Sequence, residues 1–240
     1  MQKALSLVRQ AVDDYKMIED GDTIAIGISG GKDSMFLAEV LNRLKSFYPN
    51  KFNIVALTIS IGFNNMDFSG IKAHFKDKHI DYHVIKTQIK DIVFENIDCK
   101  SPCSLCSRLR RGALIEAAKN LGCTKIALGH HRDDVNETFF MSMLYEGRIN
   151  CFSPVTHYGN RDISLIRPLI YTPEYAIKAY VTKNEIPLAP STCPMDKSTK
   201  RQEMKDLINS ISKLNPSARK NIFGAVSRSD IYGWKINGKE

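Results

Sequence analysis

A short apolar run that ends in a polar, glycine-bearing turn constrains this chain more than any other feature. Thr23-Ile24-Ala25-Ile26-Gly27-Ile28 has the length and β-branched content of a buried parallel strand. Ser29-Gly30-Gly31-Lys32-Asp33-Ser34 follows directly, and Met35-Phe36-Leu37-Ala38-Glu39-Val40-Leu41 continues at helical spacing. Strand, glycine turn and helix in that order aim free backbone N–H groups and a helix dipole at an anion. Gly30 and Gly31 let the backbone come close to it, and Lys32 adds a cation. The spacing is not that of the Walker A loop, which has four residues between its glycines, nor that of the G-x-G-x-x-G dinucleotide fingerprint. An ordinary glycine-rich turn is the bland alternative. Six such residues in this setting favour a nucleotide-phosphate site at Ser29, Gly30, Gly31, Lys32, Asp33 and Ser34.

The rest of the chain supplies the layers such a loop needs. A first helix is expected over Ala4 to Met17, where Leu5, Val8, Val12 and Tyr15 recur on one face. Strands are expected at Asp22–Ile28, Phe52–Ser60, Asp81–Lys86 and Lys125–Gly129, alternating with helices at Ser34–Phe47, Ser69–Lys78, Ser104–Leu121 and Asp133–Tyr145. That alternation predicts an α/β fold with a doubly wound, mostly parallel sheet. Ligands of such sheets sit at the carboxyl ends of the strands, where the 29–34 loop and Gly129-His130-His131 both fall. Residues 153–168 read as a hairpin turning at Gly159-Asn160. Beyond it come a helix over Glu174–Asn184 behind Pro173, a proline-rich loop, and basic helices at about Thr199–Ser212 and Ser217–Ser227. The division expected is a nucleotide-binding domain over 1–170 and a small helical, basic region over 171–240. The tail from Trp234 onward is expected to be loosely ordered.

Composition narrows the partners. A chain of 240 residues with 43% hydrophobic content can hold one sizeable core. No stretch approaches the roughly eighteen continuous apolar residues of a membrane span, and the N-terminus is unlike a signal peptide, so a cytoplasmic location is expected. The formal charge of +8 is uneven: residues 100–132 carry seven Lys or Arg against Glu116 alone, and residues 197–240 carry ten against four acids. Most charge runs are solvated helix faces. Two such blocks beside a phosphate site favour a polyanionic partner, RNA rather than membrane, with the helices after residue 197 as its expected face on charge alone.

Six cysteines stand at 99, 103, 106, 123, 151 and 193. Cys103-Ser104-Leu105-Cys106 opens a predicted helix, where the dipole and Arg108, Arg110 and Arg111 favour the thiolate. A metal centre on these two needs a further ligand, and Cys193, in Pro190-Ser191-Thr192-Cys193-Pro194, is the best candidate. Cys123 and Cys151 lie beside apolar segments and are expected to be small buried residues. Three thiolates with one open position suit a [4Fe–4S] cluster, whereas structural zinc wants a fourth protein ligand. Cys99 completes a C-x-x-x-C-x-x-C spacing also found in radical S-adenosylmethionine enzymes, a weak signal here because it follows an intact nucleotide loop.

With these residues in place, the chain resembles the tRNA-cytidine 2-thiolation enzymes (TtcA type) of the PP-loop ATP pyrophosphatase superfamily. The likeness rests on Ser29–Ser34, on Cys103-Ser104-Leu105-Cys106-Ser107-Arg108-Leu109-Arg110-Arg111-Gly112, and on Leu128-Gly129-His130-His131-Arg132-Asp133-Asp134. Ile166-Arg167-Pro168-Leu169 and Cys193 follow in the same order. The resemblance implies cleavage of ATP to AMP and pyrophosphate, Mg²⁺, a [4Fe–4S] cluster on Cys103, Cys106 and Cys193, a tRNA substrate and a homodimer. The sulfur would come from a cysteine desulfurase or sulfide. Cys99 and the lack of a second C-x-x-C at Cys193 depart from the pattern.

The chemistry implied is adenylation of a ring carbonyl, such as C2 of an anticodon-loop cytidine, followed by displacement of AMP by sulfur. Lys32, Asp33 and Asp133 are the catalytic candidates: Lys32 for charge, Asp33 for Mg²⁺, and Asp133 for a second metal contact or proton transfer. Asp133 reads equally well as a helix cap. Gly129 joins residues 29–34 as a nucleotide contact, while Asp134 and Glu137 are expected to be structural. Two rivals share the loop: a lysidine-forming tRNA ligase, which gives the cysteines no role, and an iron–sulfur PP-loop enzyme acting on a small nucleobase. A nucleotide-binding regulatory protein without turnover is the alternative of another class.

Overall fold

The computed structural model describes residues 1–63, 66–94, 102–159, 163–189, 192–193 and 200–236. Six strands form one sheet in the order β3-β2-β1-β4-β6-β5: β1 (Thr23–Gly27), β2 (Asn53–Ser60), β3 (Asp81–Lys86), β4 (Lys125–Ala127), β5 (Val155–Tyr158) and β6 (Ile163–Ile166). All neighbours are parallel except β5, which runs antiparallel to β6. The doubly wound, mostly parallel sheet expected from the sequence is therefore present. The strand order reverses between β1 and β4, so the connections leaving their carboxyl ends part there and open a crevice. β1 runs into residues 29–34, and β4 into Leu128–His131.

Helices cover both faces. α1 (Gln2–Asp14), α2 (Lys32–Lys45), α3 (Ser69–Asp77), α4 (Ile89–Phe94), α5 (Pro102–Asn120), α6 (Arg132–Glu146), α7 (Glu174–Lys183), α8 (Lys200–Leu214) and α9 (Ala218–Ser227) are the helices among the described residues. Strand alternation sorts β1 between two cores: Ile24 and Ile26 enter the one under α1, α2 and α7, whereas Ala25 joins the one under α5. The continuous apolar run that predicted a buried parallel strand is thus explained by burial on both faces.

Several boundaries differ, each for a local reason. α2 begins at Lys32 and not Ser34, because Gly31 in an extended conformation is its N-cap, which puts Lys32 and Asp33 in the first turn. α5 begins at Pro102, a residue whose missing N–H costs a first helical turn nothing. α1 ends at Asp14, where Lys16 takes a positive φ. α4 was not expected; six residues are too few for an apolar period to be read. The turn at Asn160, Cys99 and the Thr199 helix start lie outside the described residues.

The tail departs most from expectation. Trp234 is fully buried, donates its indole N–H to the Phe152 carbonyl (3.1 Å) and meets the Tyr15 and Phe223 rings edge-on. Together with Ile177, Val181, Val226 and Ile231 it belongs to the core that also holds Val8 and Phe36, so the residues after 170 share a core with the nucleotide-loop region. Cys123 and Cys151 are buried, as their apolar neighbours suggested.

Candidate functional site

The 29–34 loop is shaped by its own serines and by two close backbone approaches. Ser34 Oγ donates to the Gly31 carbonyl (2.9 Å) and accepts the Ser29 N–H (3.2 Å), while Ser29 Oγ accepts the Gly31 N–H (3.3 Å). Gly30 has φ +85°, and a Cβ there would stand 2.6 Å from the Ala189 carbonyl oxygen. Ala189 in turn donates its N–H to the Gly30 carbonyl (3.0 Å), so the chain after α7 braces the loop. Gly129 lies against the first turn of α2: an added Cβ would meet the Asp33 carbonyl carbon at 2.9 Å. Its place in the sequence motif is explained by this contact between the β1 and β4 connections.

Lys32 is held by acids. Its Nζ lies 3.0 Å from Asp33 Oδ2 and 3.0 Å from Glu174 Oε1, and Glu174 also binds Lys205 Nζ of α8 (2.7 Å). Burial works against the charge of Lys32, but Asp33 and Glu174 outweigh it and raise the pKa. Burial likewise opposes ionisation of Glu174, yet Lys205 and Lys32 prevail and hold its pKa down at about 2. At neutral pH Lys32 and Glu174 are both charged.

The Asp pair opening α6 divides its labour. Asp133 is buried with both oxygens engaged: Oδ2 accepts the Glu174 N–H (2.8 Å) and Oδ1 accepts Arg219 Nη1 of α9 (2.6 Å). It therefore caps α7 and fixes Glu174 over the loop. Asp134 Oδ2 accepts the His131 N–H (2.8 Å), its own N–H goes to His131 Nδ1 (3.3 Å), and Oδ1 pairs with Arg201 Nη1 (3.2 Å). With Nδ1 an acceptor, the neutral ring carries its proton on Nε2, which faces Asp33 Oδ1 at 3.6 Å. That oxygen is buried and has no hydrogen-bond partner. Asp33, rather than Asp133, thus presents the open carboxylate of the loop. Glu137, buried one turn further on, is pushed up to about 7 by burial and by the Asp134 charge.

Cys103 and Cys106 stand in the first turns of α5, and Cys193 lies within electrostatic reach of Cys106. Cys103 is exposed, while Cys106 and Cys193 are partly so. Burial pushes the Cys106 thiol up, Arg110 opposes this, and Cys193 and Cys103 act electrostatically in the same direction as burial. The helix-end depression of this thiol expected from the sequence is thus outweighed. Among the described residues, no three His, Cys, Asp or Glu side chains close up as a site for a single metal ion. A cluster with several irons spreads its thiolates more widely than one ion does, and a set made only of thiols matches iron–sulfur ligation.

A family model described as a PP-loop domain matches residues 3–210. The tRNA-cytidine(32) 2-sulfurtransferase of Coxiella burnetii (strain CbuG_Q212) is 39% identical over 228 residues, 94% of this chain and 89% of that one. This chain belongs to the tRNA-cytidine 2-sulfurtransferase family of PP-loop proteins. The 2-sulfurtransferase of Pseudomonas entomophila (strain L48) is 38% identical over 229 residues, 94% of this chain and 84% of its own length. Among solved structures, the U34-tRNA thiolase NcsA from Methanococcus maripaludis with its [4Fe-4S] cluster matches with a TM-score of 0.73. It is 25% identical, and the match covers 93% of this chain and 77% of that one.

In this member of the 2-sulfurtransferase family, the C-terminal helices contribute more to the surroundings of the 29–34 loop than their sequence suggests. Arg201, Lys205 and Arg219, taken from charge alone as part of an RNA face, pair with Asp134, Glu174 and Asp133. Lys213, Lys220 and Arg228 remain on the surface. Glu174 was missed altogether. An acid directly after a proline at a helix start was its only signal, and that reads first as favourable helix-end electrostatics.

Proposed function

We propose that this chain is an ATP-dependent tRNA sulfurtransferase that replaces the C2 oxygen of a cytidine with sulfur. A [4Fe–4S] cluster held by Cys103, Cys106 and Cys193 takes part. The observation that supports this reading is that Cys106 lies within electrostatic reach of both Cys103 in α5 and Cys193 in the chain ahead of α8. A nucleotide-binding or lysidine-forming protein has no use for three such thiols.

Oxide is too poor a leaving group for sulfur to displace directly. The base oxygen attacks the α-phosphorus of ATP and pyrophosphate leaves; hydrosulfide then attacks C2, and AMP departs with the former base oxygen. The amides of residues 29–34 bind the β- and γ-phosphates at the N-terminus of α2. Lys32 exchanges its carboxylate partners for phosphate. Asp33, whose Oδ1 makes no hydrogen bond and lies 3.6 Å from His131 Nε2, is the loop carboxylate fitted to hold Mg²⁺. Asp133 acts by position, through α7 and Glu174. The cluster, when bound, supplies an open iron position for the incoming sulfur, which derives from sulfide or a cysteine desulfurase.

Iron and acid-labile sulfide per chain after anaerobic purification test this reading. About four irons are expected in the wild type, and their loss in Cys193→Ala with ATP binding intact. No iron, or one zinc, in the wild-type protein contradicts it.

A further inference from the structure

Arg167 follows β6 at the carboxyl edge of the sheet, on the same side as the 29–34 loop and the Leu128–His131 connection. It is only 8% exposed, and no carboxylate among the described residues lies within 4.0 Å of its guanidinium. Nη1 is spent on the protein, donating to the Ser153 carbonyl and to Thr156 Oγ1 (3.1 Å). The opposite edge is not: Nε is buried without a partner, and Nη2 has no acceptor among the described residues. Nε and Nη2 form the side-on fork by which arginine takes two oxygens of a phosphate or carboxylate.

The surroundings make that fork harder to explain as structure. The guanidinium lies over the Phe152 ring at 4.9 Å, and His130 stacks on the same ring at 5.0 Å with its Nδ1 also buried and unpartnered. Burial holds His130 at about 3, so it is neutral and brings no countercharge. Arg111 of α5, exposed and without a carboxylate partner among the described residues, lies within electrostatic reach of Arg167, as do the Tyr158 phenol and the Cys151 thiol. A buried cation whose hydrogen-bonding edge is empty, beside a second cation, is complementary to an anion and to little else.

We infer that Arg167 and Arg111 form a phosphate-binding site that takes a backbone phosphodiester of the acceptor RNA. The inference rests on the tRNA reading above. Arg111 lies in the helix that carries Cys103 and Cys106, and Arg167 lies two strands from β1, so the two arginines belong to the elements beside the thiols and beside the loop. A free nucleotide phosphate offers the same chemistry, and the test separates the two.

The test is equilibrium binding of an unmodified tRNA transcript across a salt series, with ATP titrated separately. The proteins are the wild type, Arg111→Ala, Arg167→Lys and the double variant, each checked by urea unfolding. Arg111→Ala leaves the buried fork in place, and Arg167→Lys keeps the charge while removing the fork. Each is expected to bind tRNA roughly tenfold more weakly; the slope of log affinity against log salt falls by about one in Arg111→Ala and stays the same in Arg167→Lys, which keeps its charge. ATP affinity is expected to be unchanged. The double variant should lose little more than either single one, because both arginines hold one phosphate. Additive losses, or unaltered tRNA binding, overturn the site. Weakened ATP binding with intact tRNA binding overturns the RNA assignment and gives the phosphate to the nucleotide. A wild type that binds tRNA with this signature yet never thiolates it contradicts the proposed function while supporting the site.

Discussion

At the scale of single residues, the site is organised by carboxylates with unlike surroundings. Asp33 has one buried oxygen free, Asp133 has both committed, and Glu137 is buried near the Asp134 charge with Arg201 Nε 4.0 Å away. Glu137 carries a stability signature. Its pKa in the folded protein, about 7, lies above the ordinary 4.5, so the folded state keeps a proton that the unfolded chain has lost. The stability linked to that proton is complete below about pH 4.5 and is lost as pH rises through 7. Glu137→Gln, permanently neutral, is expected to match the wild type near pH 4.5 and to exceed it at pH 8 by at most about 3 kcal/mol. Urea midpoints across that range check this; parallel pH curves for the two proteins would contradict it. Lys32 and Asp33 were legible in the sequence because their loop is contiguous. Glu174, Lys205 and Arg201 were not, since each meets the loop or the α6 carboxylates only through the packing of α7 and α8.

At the scale of elements, two glycines let separate connections touch. Gly30→Ala meets both obstacles, a positive φ and a backbone carbonyl 2.6 Å away, whereas Gly122→Ala has a positive φ but open space. The backbone conformation alone costs about 1–2 kcal/mol. Gly122→Ala should lose only that, and Gly30→Ala clearly more, with weaker ATP binding because Ala189 must move off the loop. Denaturant midpoints and ATP titrations decide; equal losses at the two positions would show that the approach to Ala189 is immaterial. The glycines were visible as loop residues, but what they make room for was not. The alternation of strands and helices was legible throughout, since apolar period survives in segments of this length. It fails for α4, which is too short, and at helix starts decided by a cap such as Gly31.

At the scale of the whole molecule, one sheet edge collects most of the groups that the proposed chemistry uses. The 29–34 loop after β1, the His131–Asp134 cap after β4 and Arg167 after β6 share it. Part of the C-terminal charge block is taken up inside the molecule, because Arg201, Lys205 and Arg219 of α8 and α9 pair with Asp134, Glu174 and Asp133 of α6 and α7. The tail differs from its expectation: one tryptophan anchors it in the main core through rings of α1 and α9, partners that no local pattern names. The central claim is that ATP cleavage and sulfur insertion belong to one reaction on RNA. Its most direct test is to incubate anaerobically purified protein with unmodified tRNA, ATP, Mg²⁺ and sulfide, then count AMP and thiolated nucleoside. The account predicts 2-thiocytidine in the tRNA with one AMP for each. AMP formed with no thiolated base, or no tRNA-dependent AMP at all, would contradict it.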